Sequence, residues 1–289
     1  MLHGLPATTA SLFRASGRHS PPRRVAARRF YPALFLSDLH LGCSGSRAEP
    51  LARLLERLDC RKLYLVGDIV DLWQLRRRFF WDDACDRVVG RLVEMAKSGC
   101  QVIFIPGNHD DAARRYEGVE IAGIEIKLYD VHTCRSGKRL LVTHGDQYDL
   151  VVKHSRAFCL LGDAAYGVLL RINSFYNRLR ALCGRPYWSL SHYVKLKVKS
   201  ACTFISRFEE TLLHEAQRAG LDGVVCGHIH KAEERQGELA YYNCGDWVES
   251  CTLIAEGADG RVALVDGLKL LAELEAEERE PALAAALAS

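Results

Sequence analysis

Leu34-Phe35-Leu36-Ser37-Asp38-Leu39-His40-Leu41-Gly42 is an apolar run that ends in a carboxylate and an imidazole two positions apart. Apolar runs of this length, stopped by a polar turn and a glycine, suit a strand covered on both faces. The stretch therefore predicts a buried strand that delivers Asp38 and His40 from its end.

The pattern recurs downstream. Arg47 to Leu58 carries Leu51, Leu54, Leu55 and Leu58 at helical spacing, and Lys62-Leu63-Tyr64-Leu65-Val66 reads as a second strand running into Gly67-Asp68-Ile69-Val70-Asp71. A helix over about Ala84–Lys97 leads to a third strand, Gln101–Ile105, which ends in Pro106-Gly107-Asn108-His109-Asp110. Strands alternating with helices predict right-handed crossovers and a mainly parallel sheet, with ligands gathered outside the carboxyl ends of the strands. Shorter strands follow at about Ile124–Leu128 and Arg139–Val142, the latter ending in Thr143-His144-Gly145-Asp146. Beyond them, Glu209–Ala219 reads as helix and Asp222–Cys226 as a strand ending in Gly227-His228-Ile229-His230. Runs at about Leu239–Asn243, Cys251–Ala255 and Arg261–Val265 read as a closing antiparallel group, and the last twenty or so residues as a helix interrupted by Pro281.

The chain of 289 residues is long enough to bury a sizeable core. No run approaches the ~18 apolar residues of a membrane span. The formal charge of +3 conceals a division. Residues 1–29 hold six arginines and no acid and read as a basic disordered tail, although an organellar transit peptide shares that composition. Residues 151–208 hold ten Lys or Arg against a single acid, Asp163, interleaved with Phe, Tyr, Trp and Leu. The expected domains are a body formed by 30–150 and 209–268, a basic helical insert at 151–208 and a helical tail at 269–289. Eleven cysteines, an odd number with no C-x-x-C spacing, read as small buried hydrophobes in a reducing compartment and argue against a zinc–thiolate site.

Five strand ends thus carry Asp38 and His40; Asp68; Asn108 and His109; His144; and His228 with His230. Any one of them alone reads as a turn former. Together they recur at one topological edge, and buried histidines and carboxylates are costly without partners. Carboxylate, amide oxygen and imidazole suit Mn²⁺, Fe²⁺, Zn²⁺ or Mg²⁺. Seven ligands exceed what one catalytic ion uses, so two metals are expected, with a carboxylate between them, for which Asp68 is the natural bridge.

These motifs, Asp38-x-His40, Gly67-Asp68, Gly107-Asn108-His109-Asp110, His144-Gly145 and Gly227-His228-x-His230, resemble those of the calcineurin-like metallophosphoesterase superfamily, in order and across residues 38 to 230. The resemblance implies an αββα sandwich of two mixed sheets flanked by helices. It implies one metal on Asp38, His40, Asp68 and His230 and another on Asp68, Asn108, His144 and His228, with Mn²⁺ the first choice. It also implies that His109 serves as acid or charge stabiliser, oriented by Asp110; the alternative for His109 is a structural histidine. A cation pair lowers the pKa of a shared water and clamps the phosphoryl oxygens during in-line displacement.

The segments Tyr148–His154, Pro186–Ser191 and Arg207–Glu210 resemble a bacterial branch related to UDP-2,3-diacylglucosamine pyrophosphatases, which act at the inner membrane in lipid A synthesis. That resemblance implies an anionic, lipid-linked nucleotide as substrate, cut to UMP and an acylated glucosamine 1-phosphate by an enzyme peripheral to the cytoplasmic side of the membrane. The third motif departs from the Gly-Asn-Arg-Asp of the best-known members, since His109 stands where they have Arg. The basic, aromatic insert suits a charged head and acyl chains, and it also reads as a helical hairpin packed on the body with its bases solvated. Rival readings are phosphodiester hydrolysis on another phospholipid, nucleotide or nucleic acid, against which no nucleic-acid motif appears, and a non-catalytic scaffold, against which the ligand set is complete.

Overall fold

The computed structural model describes residues 28–148, 205 and 207–287. The basic insert therefore lies outside the described residues except for Ile205, Arg207 and Phe208, as does the basic tail up to residue 27.

Two sheets face each other. The larger has the order β12-β11-β1-β2-β3-β5-β4, and the smaller β6-β7-β8-β10-β9. In the first, β1 (Arg29–Leu36), β2 (Leu58–Val66), β3 (Gln101–Ile105) and β5 (Ile124–Ile126) run parallel, while β4 (Glu120–Ile121), β11 (Thr252–Glu256) and β12 (Val262–Asp266) pair antiparallel at its edges. In the second, β7 (Arg139–Val142), β8 (Gly223–Cys226) and β10 (Ala240–Asn243) are parallel, with β6 (Asp130–Thr133) and β9 (Glu233–Arg235) antiparallel at the edges.

Alternation along the strands explains the layers, because successive side chains point to opposite faces. Leu34 and Leu36 of β1, with Leu63 and Leu65 of β2, pack under α1 (Ala48–Leu55), α3 (Asp83–Lys97) and the C-terminal helix Gly267–Leu287. Ala33 and Phe35, with Tyr64, Val66, Ile103 and Ile105, turn the other way and meet Val142, Val225 and Tyr242 of the second sheet. Phe35 stacks on Tyr64 at 4.8 Å. Leu141, Val224 and Tyr241, on the far face of that sheet, are covered by Phe208, Leu212 and Ala216 of the helix 207–218. Helix, sheet, sheet and helix form four layers.

Several expectations are corrected. Leu239–Asn243 does not join an antiparallel closing group, because β10 lies parallel to β8 in the second sheet while β11 and β12 close the first. The C-terminal helix runs unbroken from Gly267 to Leu287 through Pro281, continuing with one backbone donor fewer. It is no free tail: Leu270, Leu271 and Leu274 are in the core, and Arg53 and Arg57 of the body pair with its Glu275 and Glu278. Arg28 and Arg29, assigned above to the disordered tail, belong to the fold, with β1 starting at Arg29 and Arg28 bonded to Glu56 O. The eight cysteines among the described residues are free thiols, six of them buried.

Candidate metal centre

Asp38 and His40 follow β1, Asp68 follows β2, Asn108 and His109 follow β3, His144 follows β7, and His228 and His230 follow β8. All five turns leave the carboxyl ends of parallel strands. Because the two sheets face each other, turns from both open into one place. The turns are stitched together by backbone bonds: Asp38 N–H donates to Gly67 O at 3.0 Å, His40 N–H to Asp68 O at 2.9 Å, and Gly227 N–H to His144 O at 3.2 Å.

The backbone of these turns is unusual. Asp38 (φ 52°), His40 (47°), Asp68 (53°), His228 (71°) and His230 (53°) are left-handed, and among the described non-glycine residues only Ala122 and Cys251 join them. Such conformations cost about 1–3 kcal/mol each and persist where the surroundings over-determine them. Here they fall at the turns whose side chains gather into the clusters around Asp38 and Asp68.

Asp38 Oδ1 lies 3.1 Å from His230 Nε2 and 3.9 Å from His40 Nε2, and the two imidazole nitrogens are 3.3 Å apart. A second cluster joins Asp68, His144 and His228. There Asp68 Oδ2 is 3.5 Å from His144 Nε2, and the rings of His144 and His228 are 5.2 Å apart. His144 Nδ1 donates to Val66 O at 2.9 Å, which leaves Nε2 as the nitrogen that faces Asp68. The remaining oxygens are held by amides: Asp38 Oδ2 accepts from His228 N–H at 3.0 Å and Asp68 Oδ1 from His109 N–H at 2.7 Å.

Four buried atoms of the site have no partner in hydrogen-bonding geometry: Asp38 Oδ1, Asn108 Oδ1, His144 Nε2 and His109 Nδ1, the last only in ion-pair range of Asp71. Buried polar atoms without partners are expensive, and each of these is of a type that ligates a divalent cation. The donor set therefore fits such ions, with carboxylate, amide oxygen and imidazole in place and no thiol among them.

Charge and burial oppose each other in the site. Burial disfavours the Asp68 carboxylate, yet the His144 imidazole beside it and the His109 amide outweigh burial and hold Asp68 below the usual carboxylate range. Burial also presses on the His144 imidazolium, but Asp68 and Asp38 prevail and lift its pKa to about 10. A cation held by His144 would have to replace that proton, so affinity for it would rise with pH.

Asp110 differs from its expected role. Its carboxylate accepts backbone N–H groups of Gly107 at 2.6 Å, Ile69 at 2.7 Å, and Asp68 and Val70 at 3.3 Å each. It clamps the β2 and β3 turns together rather than orienting His109. Burial, together with the neighbouring Asp68 charge, pushes its pKa up to about 6. The carboxylate on His109 is that of Asp71, whose Oδ1 lies 3.0 Å from His109 Nδ1 and whose Oδ2 lies 3.2 Å from His40 Nδ1. Asp71 also accepts from Gln74 N–H at 2.9 Å and so caps α2 (Leu72–Arg77). Burial lowers the His109 pKa, but the Asp71 and Asp68 carboxylates outweigh it and raise it. Trp73 covers the His109 ring at 4.1 Å between centroids. The reading from residues alone gave Asp71 and Trp73 no role; the available signal was the acid three positions after Asp68. Arg114 was also missed. It reaches from the β3 side to Pro106 O and to the Asp146 carboxylate at 2.7 Å, tying the His109 turn to the His144 turn.

A UDP-2,3-diacylglucosamine hydrolase from Porphyromonas gingivalis is 27% identical over 243 residues, covering 74% of this chain and 89% of that protein. One of the same name from Aromatoleum aromaticum is 27% identical over 259 residues, covering 82% and 98%. Among solved structures, vacuolar protein sorting 29 from Cryptosporidium parvum aligns over 81% of this chain and 94% of that one, at 14% identity and a TM-score of 0.39. The family description calcineurin-like phosphoesterase matches residues 31–232, from within β1 to just past His230, and with all five site turns inside that span the chain belongs to this family of metal-dependent phosphoester hydrolases.

Proposed function

We propose that this enzyme hydrolyses the diphosphate of UDP-2,3-diacylglucosamine to UMP and 2,3-diacylglucosamine 1-phosphate, using two divalent cations with Mn²⁺ as the first choice. The observation that carries the substrate is the match to UDP-2,3-diacylglucosamine hydrolases along nearly their whole length, 89% and 98% of the two proteins. Supporting the metal pair are the two clusters, Asp38 with His40 and His230 and Asp68 with His144 and His228.

Asp38, His40, Asp68 and His230 would hold one ion, and Asp68, Asn108, His144 and His228 the other. When bound, such a pair supplies a water of lowered pKa and positive charge for the phosphoryl oxygens. The chain's own contribution is orientation. Asp71 fixes the imidazoles of His40 and His109, so that His109 Nε2 is left to hold or donate a proton at the leaving oxygen. Trp73 covers one face of that ring and limits water there. Asp110 fixes the backbone from which Asp68 and Asn108 project. The active location would be the cytoplasmic surface of a bacterial inner membrane; no helix among the described residues is long and apolar enough to cross a membrane.

His109 in place of the Arg of the best-known members favours a second reading, hydrolysis of another phospholipid or nucleotide diphosphate by the same centre. The experiment is purification with Mn²⁺ and parallel assay of UDP-2,3-diacylglucosamine, simple phosphodiesters, phosphomonoesters and single-stranded DNA. UMP release from the first is expected. Brisk turnover of another substrate without UMP release would replace the substrate assignment.

A further inference from the structure

The segment that leaves the metal centre along α2 is Leu72-Trp73-Gln74-Leu75-Arg76-Arg77-Arg78-Phe79-Phe80-Trp81, with three consecutive bases, two consecutive phenylalanines and no acid. None of its first six residues is buried. Phe79 is 76% exposed and Phe80 38%. Adjacent large aromatics at such exposure, flanked by like charges, mark an interaction surface better than scattered apolar residues do.

The arginines are distinctive by comparison with their neighbours. On the adjoining α1–α3 face, Arg87 pairs with Glu49 and Glu56, and Arg91 with Asp59 and Glu94. Arg76, Arg77 and Arg78 make no ion pair among the described residues. Their charge is free to meet an anionic partner. Of the acids that follow, Asp82 caps α3 through Cys85 N–H at 3.0 Å, Asp86 accepts from Trp81 Nε1 at 2.8 Å, and Asp83 stands in the first turn of α3.

Both ends of the segment are fixed. Asp71 caps the start of α2, Arg78 N–H closes its end on Gln74 O at 2.8 Å, and Trp81 is tied to α3. Phe79 and Phe80 are therefore displayed on a short, anchored bridge between two helices. α2 rises only about 9 Å over its six residues from the Asp71 contact with His40 and His109. A surface held there would receive its lipid close to the chemistry.

We infer that Arg76–Arg78 and Phe79–Phe80 form a docking surface for an anionic lipid bilayer, with the arginines on the headgroup phosphates and the phenylalanines entering the interface. Arginines beside exposed aromatics match both layers of such a surface. The choice of a bilayer as partner rests on the lipid substrate proposed above.

The test uses the full chain and sedimentation with vesicles of phosphatidylglycerol and phosphatidylcholine (1:1) against phosphatidylcholine alone. Binding is expected to the anionic vesicles only, weakening with salt. At about fivefold per arginine, Arg76→Gln/Arg77→Gln/Arg78→Gln should bind about 100-fold more weakly. Phe79→Ser/Phe80→Ser should also lose binding. Both variants should keep wild-type turnover of a soluble phosphodiester, which reports an intact fold. A measurement without variants stands beside these: hydrogen exchange of wild-type residues 72–82 should slow on anionic vesicles. Equal binding to neutral vesicles, wild-type binding by either active variant, or slowed exchange confined to residues 151–204 would overturn the inference. The two proposals fail separately: UMP release in detergent without this vesicle binding removes the docking surface alone, and vesicle binding through this segment without UMP release removes the substrate alone.

Discussion

Replacing Asp71 by Asn tests whether the acid that touches two imidazoles organises the site. The carboxylate serves His40 Nδ1 at 3.2 Å and His109 Nδ1 at 3.0 Å. An amide has one oxygen, so it can satisfy one ring and presents its own N–H groups to the other. One contact to a charged acceptor is lost, at about 1.5–3 kcal/mol, or roughly 10–150-fold in rate or metal affinity. That range matches the 10–100-fold typical of residues that orient metal ligands. The helix should survive, because Asn caps about as well as Asp and can still accept from Gln74 N–H. The assay is kcat on a soluble phosphodiester with saturating Mn²⁺, with metal content measured on the same samples. In a His109→Ala background, already slowed but metal-loaded, Asp71→Asn should cost less, because only its effect through His40 remains. Activity of Asp71→Asn within twofold of wild type, or losses that simply add in the double variant, would refute the reasoning.

Gly67 sits at φ +79°, and a Cβ there would lie 2.1 Å from His144 Nδ1. Gly67→Ala should therefore destabilise by about 2–5 kcal/mol, combining left-handed strain with overpacking, and lower metal content; an unchanged Tm with full activity would contradict it. Burial holds the His132 pKa below its ordinary value despite the Glu256 carboxylate 3.0 Å away. The unfolded chain thus takes up a proton near pH 6.5 that the folded chain refuses, so stability falls as pH drops below that value, by at most about 1.4 kcal/mol per pH unit. His132→Gln should flatten the slope of Tm against pH between 7 and 5, and an unchanged slope would assign it to other groups. Chelation should lower Tm and restored Mn²⁺ should recover it, since a ligand at 100 times its Kd adds about 2.7 kcal/mol; a Tm indifferent to chelator would show that the centre holds no metal to remove.

The strand ends were legible because Leu34–Leu36, Leu63–Val66 and Val102–Ile105 are continuous apolar runs, each stopped by a turn carrying a ligand type. Buried parallel strands read this way because both faces are covered. Membership of one sheet or the other was not legible: β10 is as short and apolar as β11, and only its pairing with β8 distinguishes them. α2 left no periodic signal because none of its residues is buried. Asp and His adopt left-handed backbone more readily than most residues, but residue type does not say which of them do so; at Asp38, Asp68 and His230 the bonding among five turns distant in sequence decides it. Asp110 and Asp71 both follow a ligand by two or three positions, and only the fold shows that the former faces backbone amides while the latter faces His109.

Metal stoichiometry, measured together with phosphodiester turnover for wild type and Asp68→Ala, tests the central claim most directly. Two equivalents of divalent metal per active wild-type chain are expected, with turnover abolished when Asp68, the carboxylate proposed to serve both ions, is removed. Full wild-type activity with less than one equivalent of metal, or an Asp68→Ala variant that still turns over, would contradict the account.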